Sequence, residues 1–399
     1  MSAPAVPQTP DLIRRADAVL AGTYVRPSVT FVSGSGSRIQ TDDGRSFLDM
    51  TAGIAVNALG HASPEIAAVL REHADDLIHV SNLFHTRPAV DLAEALVERS
   101  FAARVFFANS GAEANEGAVK FARLRGGPER REIVYFEGSF HGRTMGSLAA
   151  TDRPDYREPF EPLPGGYRRA PWNDPDGLTA VDGRTAAAVV EPVQGEAGVR
   201  VPDDAWLAAL RRRCDETGAL LIFDEVQCGL GRTGTLWAHE QPAVTPDVMT
   251  LAKPLAGGLP MGAVLLGDEA ASHVRSGSHA TTFGGGPLVC RVALKVLETV
   301  SRPEFLAGVC AAGDRLRRGL EGLESPSVLE IRGRGLMIGV RVKDPAAVRE
   351  AAFREELLVV PAGEDVLRFL PALNVTPSDL DEAVSRFGRA LRRTEQGAS

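Results

Sequence analysis

Lysine is scarce in this sequence. Only Lys120, Lys253, Lys295 and Lys343 occur, because arginine carries nearly all of the positive charge. Chemistry that needs an amine must choose among those four. Cysteine is just as rare. Cys214, Cys228, Cys290 and Cys310 form no C-x-x-C pair and none stands near a histidine cluster. That argues against a zinc site or a disulfide framework and fits a reducing, cytoplasmic setting. No window approaches ~18 uninterrupted apolar residues, so no membrane-spanning helix is expected. The Pro-rich start, MSAPAVPQTPDLIRRADAVL, lacks the apolar core of a signal peptide and reads poorly as a transit peptide. A positive excess is missing too: the formal net charge is −8. There is no electrostatic footprint for nucleic acid or an anionic membrane. No internal repeat is present, and no low-complexity block beyond the first ten residues.

What remains is an ordinary globular composition. The 399 residues are 44% hydrophobic and 24% charged, enough for two domains, or a large α/β domain with a smaller partner. Residues 28–50 read as short strands around an Asp-Asp-Gly turn. Residues 62–100 read as two helices around SNLFHTRP. Then short apolar runs alternate with helix-length segments: VFFAN (105–109), EIVYF (132–136), AAAVVEP (186–192), ALLIFDE (219–225), VMTLAK (248–253) and GAVLLG (262–267). Unbroken runs suit strands covered on both faces, and the alternation predicts a mostly parallel, doubly wound sheet. Ligands in such sheets sit at the carboxyl ends of the strands. From about residue 300 the texture becomes that of a smaller α+β domain, ending in a helix from Pro377.

Three of the runs end in residues with chemical promise. After VFFAN, Ser110-x-x-Glu113 has the form of a capping box opening an amphipathic helix. Gly111 and Ala112 keep its first turn free of bulk, and free N–H groups there suit a phosphate. An ordinary capped helix has the same signature. Asp224 ends ALLIFDE, and a buried carboxylate needs a cationic partner, which a protonated pyridine nitrogen would supply. A structural cap or a metal ligand would also fit. Lys253 ends VMTLAK before Pro254 and a Gly-rich loop. A desolvated lysine can form an imine, although a surface lysine is the plainer reading. Lys120 and Lys295 lie within amphipathic helices, and Lys343 adjoins an Asp-Pro turn. Together the helix start, the acid and the amine match the phosphate, ring nitrogen and aldehyde of pyridoxal phosphate.

The chain also resembles the class III aminotransferases of fold type I, from about residue 25 to 390. The matching segments are GIAVNALGH (53–61), SNLFHT (81–86), FFANSGAEANE (106–116), GSFHGRTMGSLAAT (138–151), EPVQGEAGV (191–199), FDEVQCGLGRTG (223–234), LAKPLAGGLPMGA (251–263), HATTFGGGPLVC (279–290) and RGRGLMIGV (332–340). The resemblance implies a large domain holding pyridoxal 5'-phosphate over residues 61–298. Residues 1–60 would contribute to a small domain completed by residues 299–399. It implies that Ser110, Gly111 and Ala112 hold the phosphate and that Phe140 stacks on the ring. Asp224 would pair with the ring nitrogen, and Gln227 would lie near the ring hydroxyl. Lys253 would be joined to the cofactor as a Schiff base and act as general base and acid. Thr282 would reach the phosphate of a neighbouring subunit, so the unit would be a homodimer with the cofactor site at the interface. Arg143 would grip the substrate α-carboxylate, and Thr281 would lie beside the substrate. Glu196 would mask Arg368 while an ω-amine donor is bound and release it for 2-oxoglutarate, the small-molecule acceptor. No metal is implied.

Gly53 stands where ornithine-specific members place a tyrosine facing the donor's α-amine, and it leaves room for an N-acyl group. Pro254, Gly286 and His85 depart from the commonest pattern. His141, beside Phe140, would orient its neighbours. Two glycine patterns, Ser33-Gly34-Ser35-Gly36 and Gly333-x-Gly335-x-x-x-Gly339, loosely imitate a dinucleotide fingerprint, but the second runs into a strand rather than a helix. The donor could be ornithine, its acyl derivatives, 4-aminobutyrate or a carrier-bound lysine intermediate. An aminomutase on the same scaffold, or a non-catalytic cofactor-binding regulator, is the alternative reading.

Overall fold

A computed structural model describes residues 9–397. Residues 1–8, the first part of the Pro-rich start, and residues 398–399 lie outside the described residues. The strands are β1 Phe31–Ser35, β2 Arg38–Thr41, β3 Ser46–Asp49, β4 Arg104–Ala108, β5 Glu132–Phe136, β6 Tyr167–Ala170, β7 Thr185–Val190, β8 Leu220–Asp224, β9 Val248–Leu251, β10 Gly262–Leu266, β11 Val328–Arg334, β12 Met337–Val342, β13 Leu357–Leu358, β14 Val360–Ala362 and β15 Val366–Phe369.

The central sheet has seven strands in the order β4-β10-β9-β8-β7-β5-β6. It is parallel except for β10, which runs antiparallel to both β4 and β9. The expected doubly wound α/β sheet is therefore present, and each apolar run named above supplies a strand. The core strands β7, β8, β9 and β10 are buried throughout, as unbroken apolar runs require. Strand β6, YRRA, gives no apolar signal because it is the sheet edge. Its arginines meet Glu132, Asp182, Asp152 and Glu137 at the surface, and edge strands tolerate charge.

The helix Gly111–Gly126 departs from expectation. Its sequence reads as amphipathic, yet Ala114, Asn115, Gly117, Ala118, Val119, Phe121 and Ala122 are all buried. One side lies on the sheet, and the short helices Met145–Ala149 and Asp268–Ser272 cover much of the rest. Lys120 is left exposed.

The remaining strands make two four-stranded sheets, β1-β2-β3-β13 and β11-β12-β15-β14. The first joins the two ends of the chain, with Leu48 of β3 opposite Leu357 of β13. The apolar run LLVVP thus splits between the sheets, with β13 in one and β14 in the other. Both fingerprint-like glycine patterns are β-hairpins, β1–β2 and β11–β12. The largest core cluster runs from Leu48 through Leu92, Leu251 and Val296 to Ile338 and Phe387. The central sheet and the flanking sheets therefore share one apolar interior. Among the described residues no helix is long and apolar enough to cross a membrane.

Candidate active site

Strands β4, β5, β7, β8 and β9 point the same way, so the residues that follow them gather along one edge of the sheet. A cavity of about 400 Å³ opens there. Ser110, Gly111, Ala112, Phe140, Arg143, Glu196, Asp224, Gln227 and Lys253 all line it. Nine expected site residues, scattered over more than a hundred positions, thus meet in one hollow.

The Ser110 end is a helix start. Ser110 Oγ accepts from the Glu113 N–H at 3.2 Å. The other half of the expected capping box is shifted by one residue: the Glu113 carboxylate accepts from the Asn109 N–H at 2.9 Å and from Asn109 Nδ2 at 2.8 Å, not from Ser110. The shift fastens the end of β4 instead of capping the helix a second time. The N–H groups of Gly111 and Ala112 have no partner within the helix and face the cavity region, where the helix dipole favours an anion. Close packing builds this corner. A Cβ on Gly262 would stand 2.4 Å from the Ser110 carbonyl, and one on Gly111 would stand 2.9 Å from Val226 Cγ1. Only glycine lets the loops approach so closely.

Asp224 is buried and held on three sides. Oδ1 accepts from the Val226 N–H at 3.0 Å. Oδ2 accepts from Asn115 Nδ2 at 2.7 Å and lies 2.7 Å from His141 Nδ1. Asn115 is itself fixed, donating to the His141 carbonyl and accepting from Thr250 Oγ1. Burial opposes charge on His141, but the hydrogen bond and charge of Asp224 raise its pKa. His141 is thus the neighbour that orients the acid. Asn115 and Glu191 were given no role in the sequence, although Glu191 closes the run AAAVVEP just as Asp224 closes its own. The Glu191 carboxylate accepts from the N–H groups of Phe140 and Gly195, each at 3.0 Å. Burial lifts its pKa to about 7.

Lys253 is the one lysine of the four that lines the cavity. Burial lowers its pKa; Glu196 opposes that and the Arg368 charge adds to it. Arg368 is 1% exposed and sits on β15 between β12 and β14, not on a solvent edge. Its Nη1 donates to Glu196 at 2.7 Å and to Gln227 Oε1 at 3.0 Å, and Nη2 donates to the Pro361 carbonyl. Burial would raise the Glu196 pKa, but the charges of Arg368 and Lys253 hold it below the usual range. Arg143 is exposed at the rim, with its guanidinium carbon 3.4 Å from the centroid of Tyr156. Tyr156 carried no signal in the sequence.

Thr281 and Thr282 are not brought into the cavity of this chain. Thr281 Oγ1 accepts from Asn109 Nδ2 at 3.2 Å, while Thr282 is exposed. Gly53 is exposed with φ +67° on the turn just before cavity-lining Val56.

The hollow fits pyridoxal phosphate. It offers anion-binding N–H groups at one end, an oriented carboxylate for a cationic ring nitrogen, a flanking phenyl ring, and an amine whose pKa is depressed. The family model described as Aminotransferase class-III matches residues 20–391. An acetylornithine aminotransferase of Rhodobacter capsulatus is 48% identical over 382 residues, covering 94% of this chain and 97% of that one. The crystal structure of N-acetylornithine aminotransferase from Stenotrophomonas maltophilia K279a superposes with a TM-score of 0.83 at 38% identity, covering 96% and 100% of the two chains. An ornithine aminotransferase structure from Toxoplasma gondii, reported with partial occupancy of PLP at its active site, gives a TM-score of 0.94 at 29% identity, covering 98% and 95%.

Proposed function

The chain belongs to the class III aminotransferases, enzymes that use pyridoxal phosphate, and on that premise we propose that it transfers the terminal amine of N2-acetylornithine to 2-oxoglutarate. The products are N-acetylglutamate 5-semialdehyde and glutamate, a step towards arginine. The observation that carries this reading is the Glu196–Arg368 ion pair at the wall of a cavity that also holds Lys253. An enzyme with two unlike substrates needs a carboxylate site that it can cover and uncover.

Pyridoxal phosphate, when bound, supplies an aldehyde that condenses with amines and a ring that takes up the electron pair left at the substrate carbon. Ser110, Gly111 and Ala112 would hold its phosphate, Phe140 its ring face, and Asp224 its ring nitrogen. Gln227 would lie near the ring hydroxyl. Lys253 would be the residue joined to it. Once free, the Lys253 Nζ would take a proton from the substrate carbon that bears the amine and deliver it to the cofactor's aldehyde carbon. Its lowered pKa keeps a neutral fraction for that work. His141 and Asn115 keep Asp224 aimed. Arg143 offers a planar fork for the donor's α-carboxylate. Glu196 covers Arg368 while the donor is bound. When 2-oxoglutarate arrives, the carboxylate beside its reacting carbonyl displaces Glu196 and takes a bidentate place on the guanidinium.

We also place the site at the interface of a homodimer. Leu77, Ile78, Leu83, Phe84 and Phe283 are all more than half exposed. They form one surface, since Asn82 Nδ2 donates to the Thr281 and Gly284 carbonyls and His79 touches Phe283. Exposed Thr282 stands on that surface, where a partner's phosphate would be in reach. The four cysteines stay free thiols, which suits the cytoplasm.

A panel of ω-amines assayed with 2-oxoglutarate tests the donor. N-acetylornithine should give the highest kcat/KM, and a clear preference for 4-aminobutyrate or ornithine would replace it. Turnover without 2-oxoglutarate would indicate an aminomutase. Lys253→Ala should fold normally yet lose turnover. Borohydride reduction followed by peptide mapping should label position 253 alone.

A further inference from the structure

Arg232 is among the largest side chains hidden in the fold, at 1% exposed. No carboxylate pairs with it among the described residues, and a buried charge without a counter-ion is costly. Burial alone brings its pKa down to about 9. Its Nε and Nη2 find no acceptor. All of its side-chain bonding runs through Nη1, which donates to the Leu336 carbonyl at 3.0 Å and the Pro371 carbonyl at 2.6 Å. Its own carbonyl accepts from the Leu336 N–H.

Those two acceptors are neighbours in the sheet. Leu336 immediately precedes β12 and Pro371 closely follows β15, and the two strands pair with Ile338 opposite Phe369. The guanidinium therefore spans the open end of the β12–β15 ladder, where the next rung would fall. Arg368 is three residues from Pro371 on the same chain and stands opposite Gly339. On the other side, Arg232 belongs to the loop that leaves β8 after Asp224 and carries Gln227, itself an acceptor for Arg368. The backbones interlock there as well. A Cβ on Gly335 would stand 2.5 Å from the Thr233 carbonyl carbon and 2.8 Å from the Arg232 oxygen.

We propose that Arg232 is a positioning residue for the dicarboxylate substrate: it fastens the end of β12 and β15 to the Asp224 loop and so fixes where Arg368 stands relative to Asp224 and Lys253. The inference rests on the reading above, in which Arg368 receives a carboxylate of 2-oxoglutarate. A planar guanidinium can bridge two carbonyls on different strands, whereas methionine can bond neither.

The test uses the holoenzyme and two unreactive ligands, glutarate and pentanoate, titrated by calorimetry into wild type, Arg232→Met, Arg232→Lys and Arg368→Ala. Glutarate affinity should fall about tenfold in Arg232→Met, the effect of weakening one hydrogen bond to a charged group, while pentanoate changes much less. Arg232→Lys should recover part of the loss, and it carries the test if the methionine variant does not fold. Equal weakening of both ligands, or no change in either, overturns the proposal. Glutarate binding that survives Arg368→Ala sinks the functional reading instead. Glutarate weakened by Arg368→Ala but untouched by Arg232→Met sinks only the role of Arg232.

Discussion

At Glu191, burial and hydrogen bonding pull in opposite directions. Burial and the nearby Asp224 charge lift its pKa to about 7, while His141 and two backbone N–H groups favour the ionised form. The net result is a proton held more tightly in the folded protein than in the unfolded chain. The sign follows: stability from this group is fully present below the ordinary glutamate pKa and is lost as pH rises through about 7. In protein freed of cofactor, the free energy of unfolding should fall between pH 5 and 8, with on the order of 2 kcal/mol coming from this site. His141, also raised, contributes a slope of the same sign. Urea unfolding at several pH values should show a flatter profile for Glu191→Gln. Parallel profiles for wild type and variant would mean that Glu191 is already ionised when folded.

Among the elements, the turn at Ala52–Ala55 is the most strained. Its φ angles are +45°, +67°, +63° and +63°, a left-handed turn in which three residues are not glycine. Each such residue costs about 1 kcal/mol or more. Buried Asp49 holds the turn in place. It accepts from the Thr51 N–H and Oγ1 and the Ala52 N–H, and pairs with His61 Nε2 at 2.8 Å. Gly53 sits at its exposed crest before Val56. Gly53→Tyr should lower kcat/KM for N-acetylornithine by about tenfold relative to ornithine, as a clash with one acyl group would. Steady-state rates with both donors decide it, and an equal fall for both would point to backbone strain alone. Nothing in GIAVNALGH announces a left-handed turn, because Asp49, which lies outside the segment, holds it through the Thr51 and Ala52 N–H groups and His61. The central strands were legible for the opposite reason: burial on both faces writes itself as an unbroken apolar run. The same signal marks Asp224, Lys253 and Glu191 at the ends of their runs. The burial of Arg368 was not legible, since VLRFLP looks the same on an edge as between two neighbours. Nor could spacing show that Thr281 and Thr282 stay outside the cavity of their own chain.

For the whole molecule, the open apolar surface around Leu83 and Phe283 is where the proposed homodimer would form. Patches of this kind mark contact sites. Sedimentation should show a dimer, and Leu83→Asp combined with Phe283→Asp should shift it towards monomer. Cofactor affinity should fall as the dimer is lost, by about tenfold or more if a partner's Thr282 completes the phosphate site. A monomeric wild type with full cofactor affinity would refute the shared site. The reversed direction of β10 has a different consequence. Because β9 ends and β10 begins at the same edge, residues 252–261 return at once and stay beside the hollow, where Ala252, Lys253 and Gly258 to Met261 line it. A parallel successor would have needed a crossover of a dozen or more residues leading away from that edge. The reactive amine and the opposite rim are therefore two ends of a single short bridge, and lengthening that bridge by even a residue would have to move one of them.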